Sequence, residues 1–230
     1  MRWIESVVRL RPELHEFADG DLGYTLVREA GYVARAAYCY TLPRILEMGT
    51  GHGKTARFLK AVVAAASVHS IDFPADEMDR LTLLMPPEQR GEVSSRQMLQ
   101  AACADGVHQM YGDSRDRDNY NQEYDVIFVD AAHTREAVIS DTLCALSILA
   151  PGGTLLWHDT DVPEVLNALG MISTTLNLAL FMPYRIAAWS KRPEIMDKLC
   201  AECGDVRWPR DPDIQIWPHE FDAGAQEITL

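Results

Sequence analysis

Basic residues are scarce in this chain: 21 lysines and arginines stand against 34 aspartates and glutamates in 230 residues, a formal net charge of -13. A protein that grips nucleic acid or an anionic membrane surface sets clustered cations against phosphate, so neither partner is expected. Long apolar runs are missing too. No stretch approaches the roughly 18 consecutive apolar residues that cross a bilayer, and Arg2, Glu5 and Arg9 interrupt the first ten positions, so no export or membrane signal is expected. Cysteines are few and scattered: Cys39, Cys103, Cys144, Cys200 and Cys203 form an odd set that suits free thiols in a reducing cytosol, and a cytoplasmic location is expected. Cys200-Ala201-Glu202-Cys203 lacks the second pair that a four-ligand zinc site needs, and His219 alone does not complete one. Internal repeats and low-complexity tracts are also absent.

What is present is organised around residues 44–58, RILEMGTGHGKTARF. Ile45-Leu46 lead through Glu47 and Met48 into Gly49-x-Gly51-x-Gly53, and a helix opens at Lys54: strand, glycine turn, helix. Glycines permit positive φ and leave no side chain in a ligand's way, while the first N–H groups of the helix point over the turn. A small polar ligand is expected there.

The length suits one α/β domain with small additions. Residues 1–43 read as an N-terminal helical cap of two helices, one carrying the stripe Trp3, Val7, Val8 and Leu10. Such a prefix packs over the strand ends as a cover, a lid or a homo-oligomer contact. Residues 44–192 hold alternating strands and helices. Strand two, at 68–73, ends at Asp72-Phe73-Pro74, and a helix beginning at the capping pattern Ser94-x-x-Gln97 runs to Asp105. Strand three ends in Gly112-Asp113-Ser114. Residues 124–130 form a continuous apolar strand ending on Asp130, a helix covers about 134–150, Pro151-Gly152-Gly153 stops it, and strand five ends on His158-Asp159. A further helix and two short strands close the unit, and 193–230 is a Pro- and acid-rich tail that packs on the domain or on a partner subunit. The pattern predicts a doubly wound, mainly parallel seven-stranded sheet with an antiparallel last strand. Ligands bind such sheets at the carboxyl ends of the strands, so Glu47, Asp72, Asp113, Asp130 and Asp159 are expected around one crevice.

The glycine turn nearly spells two nucleotide sites. Gly53-Lys54-Thr55 ends a P-loop pattern, but Met48 stands where its first glycine belongs, and Glu47 would repel phosphate. A dinucleotide fingerprint fails at Lys54, which occupies the place of its last glycine. The ordered set of Leu46-Glu47-Met48-Gly49-Thr50-Gly51-His52-Gly53, Asp72, Gly112-Asp113-Ser114 and Pro151-Gly152-Gly153 instead resembles the class I S-adenosylmethionine-dependent methyltransferases, over about residues 44–190. The resemblance implies cofactor contacts from Glu47, Gly49, Thr50, Gly51, His52, Asp72, Phe73, Gly112, Asp113, Ser114 and Asp130. An acidic crevice suits that cationic sulfonium and ammonium.

Within the family, Asp130-Ala131-Ala132-His133 followed by Asp141 and His158-Asp159 resembles the metal-dependent small-molecule O-methyltransferases of the macrolide-sugar type. That resemblance implies Asp130, Asp159 and His158 around a divalent cation, Mg²⁺, with His133 as base; Thr160 stands where relatives often have another carboxylate or amide. Asp161 is a spare acid. The expected activity is methyl transfer to a hydroxyl of a small-molecule acceptor. The alternative is a catalytically inactive domain of the same fold that binds the cofactor as a structural or regulatory ligand.

Overall fold

The computed structural model describes residues 2–22, 25–74, 77, 106–182 and 184–207. Eight strands form one sheet: β1 (Arg44–Met48), β2 (Ser67–Asp72), β3 (His108–Tyr111), β4 (Tyr124–Val129), β5 (Leu149–Trp157), β6 (Ala179–Met182), β7 (Ile186–Ser190) and β8 (Asp205–Arg207). Their order is β3-β2-β1-β4-β5-β7-β6-β8. The first five pair in parallel, and β7 enters antiparallel against β5, so the doubly wound class and its reversed last main strand are as expected. A short eighth strand extends the sheet beyond β6.

Among the described residues six α-helices flank the sheet: α1 (Arg2–Leu10), α2 (Val27–Ala37), α3 (Lys54–Val62), α4 (Arg135–Ile148), α5 (Pro163–Ser173) and α6 (Pro193–Ala201). Alternation along the strands decides which layer each side chain enters. Ile45, Val126, Phe128 and Leu156 point into a core shared with α1, α2, α3 and α6, whereas Leu46, Met48, Ile127, Val129, Leu155 and Trp157 point into one shared with α4 and α5. Both faces of the central strands are thereby covered, which is why they read as unbroken apolar runs.

Three expectations change. Leu10 is 81% exposed; Val8 is buried and Val7 packs against the core as expected, and Ile4 joins them. Pro151-Gly152-Gly153 lies inside β5: the register jumps from Tyr124↔Leu149 to Val126↔Thr154, so a bulge absorbs the proline within an inner strand. The tail's first part is ordered structure, with Ile195, Met196 and Leu199 of α6 buried in the α2-side core. The helix expected at 94–105, and Trp208, Trp217 and His219, lie outside the described residues.

Candidate active site

The crevice begins at the turn between β1 and α3. Gly49 has φ +97°, and a Cβ there would lie 2.0 Å from the Asp130 carbonyl oxygen, so only glycine lets β1 and β4 end this close together. Gly53, at φ 68°, is the N-cap of α3. Asp72, at the end of β2, braces the turn: its Oδ2 accepts from the Thr50 and Gly51 N–H groups at 3.1 and 3.3 Å, and its Oδ1 from Phe73 N at 2.8 Å. Burial raises the Asp72 pKa above the ordinary aspartate value. His52 is half-buried in the turn, and Lys54 is exposed on the first turn of α3.

Glu47 lies beneath this turn, 1% exposed. Ser70 Oγ donates to its Oε2 at 2.5 Å, Thr50 Oγ1 shares a hydrogen bond with Ser70 Oγ at 2.8 Å, and Gln109 Nε2 donates to Thr50 Oγ1 at 3.0 Å. Burial, with the charges of Asp130 and Asp72, raises its pKa well above the usual carboxylate range despite the Ser70 bond. Burial thus favours the neutral form of this carboxyl.

The loop after β3 departs from the open acid that the sequence suggests. Arg115 grips Asp113 with two bonds, Nε to Oδ1 at 2.7 Å and Nη2 to Oδ2 at 2.6 Å, and holds its pKa low. Gly112 is required by closeness, since a Cβ would meet the Asn119 amide at 2.6 Å. Ser114 Oγ donates to the buried Asp141 of α4 at 2.6 Å; burial pushes Asp141 up to about 6.

Asp130, His133, His158 and Asp159 converge at the ends of β4 and β5. His133 Nε2 lies 2.7 Å from Asp159 Oδ2, with the imidazole half exposed. Asp159 raises the His133 pKa, against an opposing effect of burial. Thr134 starts α4 just beyond, accepting from Ala137 N at 3.3 Å, which fixes the loop that carries His133. His158 is fully buried at its side chain. Its Nε2 is 3.0 Å from Glu29 Oε2, and its Nδ1 is 3.2 Å from Asp130 Oδ1 and 3.1 Å from Asp159 Oδ1. Neither of the last two contacts has hydrogen-bond angles, so Nδ1 sits between the two carboxylates as an ionic neighbour. Burial alone would lower its pKa, but contacts with Asp130, Asp159 and Glu29 outweigh that and push it to about 11. His158, expected as a ligand beside Asp130 and Asp159, thus keeps Nε2 on Glu29 and Nδ1 within 3.2 Å of both acids.

Among the described residues the group that could hold a metal ion is Asp130, His133 and Asp159, one ligand atom from each, all within 4.8 Å of one another. Two carboxylate oxygens and an imidazole nitrogen fit a divalent cation, and the nitrogen suits Mn²⁺ or Zn²⁺ better than all-oxygen Mg²⁺. A recess of about 10 Å³, the size of one water, lies behind the group, floored by Val138, Trp157 and Val165.

Three residues of this constellation escape sequence reasoning. Thr25 Oγ1 donates to Asp130 Oδ2 at 3.0 Å. Glu29 Oε2 accepts from Leu26 N at 2.8 Å and faces His158, and Arg185 bridges Glu29 and Asp159: Nε to Glu29 Oε1 at 3.1 Å, Nη2 to Oε2 at 3.0 Å, Nη1 to Asp159 Oδ1 at 2.8 Å. Burial would raise the Glu29 pKa, yet His158 and Arg185 hold it below the usual glutamate value. The readable signal was Glu29 on the stripe of α2 shared with Val33 and Ala36, a charge among apolar neighbours. Asp159 and Arg185 both have left-handed backbones, φ 53° and 48°, the cost of turning these side chains inward. Asp161 is exposed.

Among curated proteins none matches the sequence. Solved structures do match, and they share the fold. A putative caffeoyl-CoA O-methyltransferase from Staphylococcus aureus is 15% identical, with 82% of this chain and 92% of that one covered at a TM-score of 0.55. An O-methyltransferase from Bacillus cereus, in complex with SAH, is 15% identical over 81% of this chain and 91% of that one, TM-score 0.52. The O-methyltransferase NovP is 13% identical over 71% and 77%, TM-score 0.53. The chain spans 46% of the length of TrmN from Thermus thermophilus. A family model described as a methyltransferase domain matches residues 46–160, half of the chain, from the glycine turn to the acidic end of β5, and the protein belongs to that family.

Proposed function

We propose that this protein transfers the methyl group of S-adenosylmethionine to a hydroxyl of a small-molecule acceptor, with His133 as the base. The observation that carries the reading is the 2.7 Å contact of His133 Nε2 with Asp159 Oδ2, on a half-exposed imidazole three residues after Asp130, whose backbone carbonyl abuts the glycine turn. The cofactor supplies an activated methyl on a cationic sulfur. In this chain the turn at Gly49, Thr50, Gly51 and His52 would lie against it, Asp72, Phe73 and the 112–114 loop would hold its nucleoside, and Asp130 would take its amino-acid end. Support for this ligand comes from the family and from the SAH complex of the Bacillus cereus relative.

The protein's part is alignment and proton removal. Asp159 orients His133 and stabilises the imidazolium that forms when it takes the hydroxyl proton, and Arg185 and His158 keep Asp159 ionised. A divalent cation, Mg²⁺ or a metal better suited to nitrogen, would be held by Asp130 and Asp159 with His133 as third donor, and would lower the pKa of a bound hydroxyl. His133 serves as base or as ligand, not both at once.

Calorimetry with S-adenosylmethionine, and methyl transfer from it to a panel of phenols, catechols and sugars with and without EDTA, test the reading. Micromolar cofactor binding and transfer that His133→Ala lowers about 100-fold or more in kcat are expected. No cofactor binding at millimolar concentration would sink it, and transfer untouched by EDTA would leave His133 as base alone.

A further inference from the structure

We infer that Arg185 is a built-in counter-cation that competes with a divalent metal for Asp159, so that metal binding here is weakened for as long as the arginine holds on. The inference rests on the cation-holding reading of Asp130, His133 and Asp159. Both Asp159 oxygens are engaged by nitrogen groups, Oδ1 by Arg185 Nη1 at 2.8 Å and Oδ2 by His133 Nε2 at 2.7 Å. A metal needs a lone pair from Asp159 directed at it. His133 can turn from partner to ligand when neutral, because its nitrogen then offers a lone pair of its own. A guanidinium has none, and it stays charged at any pH the protein meets. Asp159 keeps lone pairs for a metal beside that contact, but Arg185, like His158 at 3.1 Å from Oδ1, repels an incoming dication and relieves the repulsion by retreating.

The geometry allows that retreat without losing the side chain. Its Nε and Nη2 are held by Glu29 and its Nη1 reaches Asp159, so a rotation that gives up Asp159 can keep Glu29. The guanidinium is partly open, 28% exposed at the side chain, whereas Glu29 is 2% exposed and fixed to the start of α2 through Leu26 N. Glu29 acts as a parking place for the displaced charge. Arg185 reaches this position from a left-handed backbone at the β6–β7 turn, where its carbonyl accepts from Thr160 N at 3.3 Å. Repulsion between a retained guanidinium and the incoming dication weakens binding, and neutralising the arginine removes it.

The test is Mn²⁺ binding to the full-length protein, followed by water-proton relaxation, with no cofactor or acceptor present. Arg185→Gln is expected to bind Mn²⁺ at least tenfold more tightly than wild type. Glu29→Gln, which removes the parking place and leaves Arg185 to Asp159, is expected to bind several-fold more weakly than wild type or not at all. Effects of opposite sign separate competition from loosening of the fold, and Arg185→Met replaces the glutamine variant should that misfold. Equal or weaker binding in the folded arginine variants, including no binding in any form, overturns the inference. Failure of the methyl-transfer reading appears separately, as absent S-adenosylmethionine binding in calorimetry.

Discussion

At Gly49 the clash distance sets the scale of what substitution does. A methyl group there would sit 2.0 Å from the Asp130 carbonyl, at a φ of +97° that side-chain-bearing residues avoid. Gly49→Ala is expected to cost about 3 kcal/mol or more, combining backbone strain with overpacking, as read by urea denaturation. His133 gives a second residue-level expectation. Asp159 holds its pKa above the ordinary histidine value, and a base must be unprotonated, so the acid limb of kcat should lie above about pH 6.5. Asp159→Asn removes the charge that favours the imidazolium; the limb then moves to lower pH while the plateau falls, and a pH–rate profile shows both. These residue identities were legible in the sequence because acids at strand ends are local signals. Arg185 was not, since its role depends on a β6–β7 turn that brings it to Glu29, 156 positions away.

Helix α4 carries a buried acid with its own pH signature. Burial pushes the Asp141 pKa up to about 6, against about 3.8 for an ordinary aspartate. A carboxyl raised in this way contributes stability that is complete below about pH 4 and is lost as pH climbs through 6, on the order of 3 kcal/mol for a two-unit shift. Asp141→Asn can still accept the Ser114 hydrogen bond and has no proton to lose. Its thermal midpoint should therefore gain on wild type between pH 4 and pH 7; a constant difference would contradict the argument. Elements as such were easy to read where pattern and burial agree, as in Val126 to Val129, which alternate between the two cores. The start of β5 was hidden because Pro151-Gly152-Gly153 has turn chemistry, and only pairing with β4 shows that a bulge keeps the strand going.

For the whole molecule, the N-terminal segment is part of the core. Ile4, Val8, Leu14 and Phe17 are each 3% exposed or less, and Phe17 packs edge-on against Phe58 of α3 at 5.4 Å. Burying four such side chains is worth on the order of 8 kcal/mol, comparable with the net stability of a domain. Removing residues 1–18 should leave a chain without a cooperative melt by circular dichroism, and a truncated form melting within a few degrees of the full chain would refute this. Fold class was legible because alternating strands and helices admit few topologies. The completeness of the site was not, because Glu29 enters it from a helix, and Thr25 from the turn before that helix, ahead of the first strand.

Helix α2 also has a far end. Beyond its last turn, Tyr38 Oη donates to the Val62 carbonyl at 2.7 Å, and Tyr40 Oη donates to the Gly152 carbonyl at 2.8 Å, beside the opening residues of β5. The helix is thus bolted at the catalytic edge of the sheet by Thr25 and Glu29 and at the opposite edge by two tyrosines. A part fastened at both ends cannot swing as a door. Amides of α2 should exchange with deuterium as slowly as those of β4, and an acceptor must reach His133 without this helix lifting away.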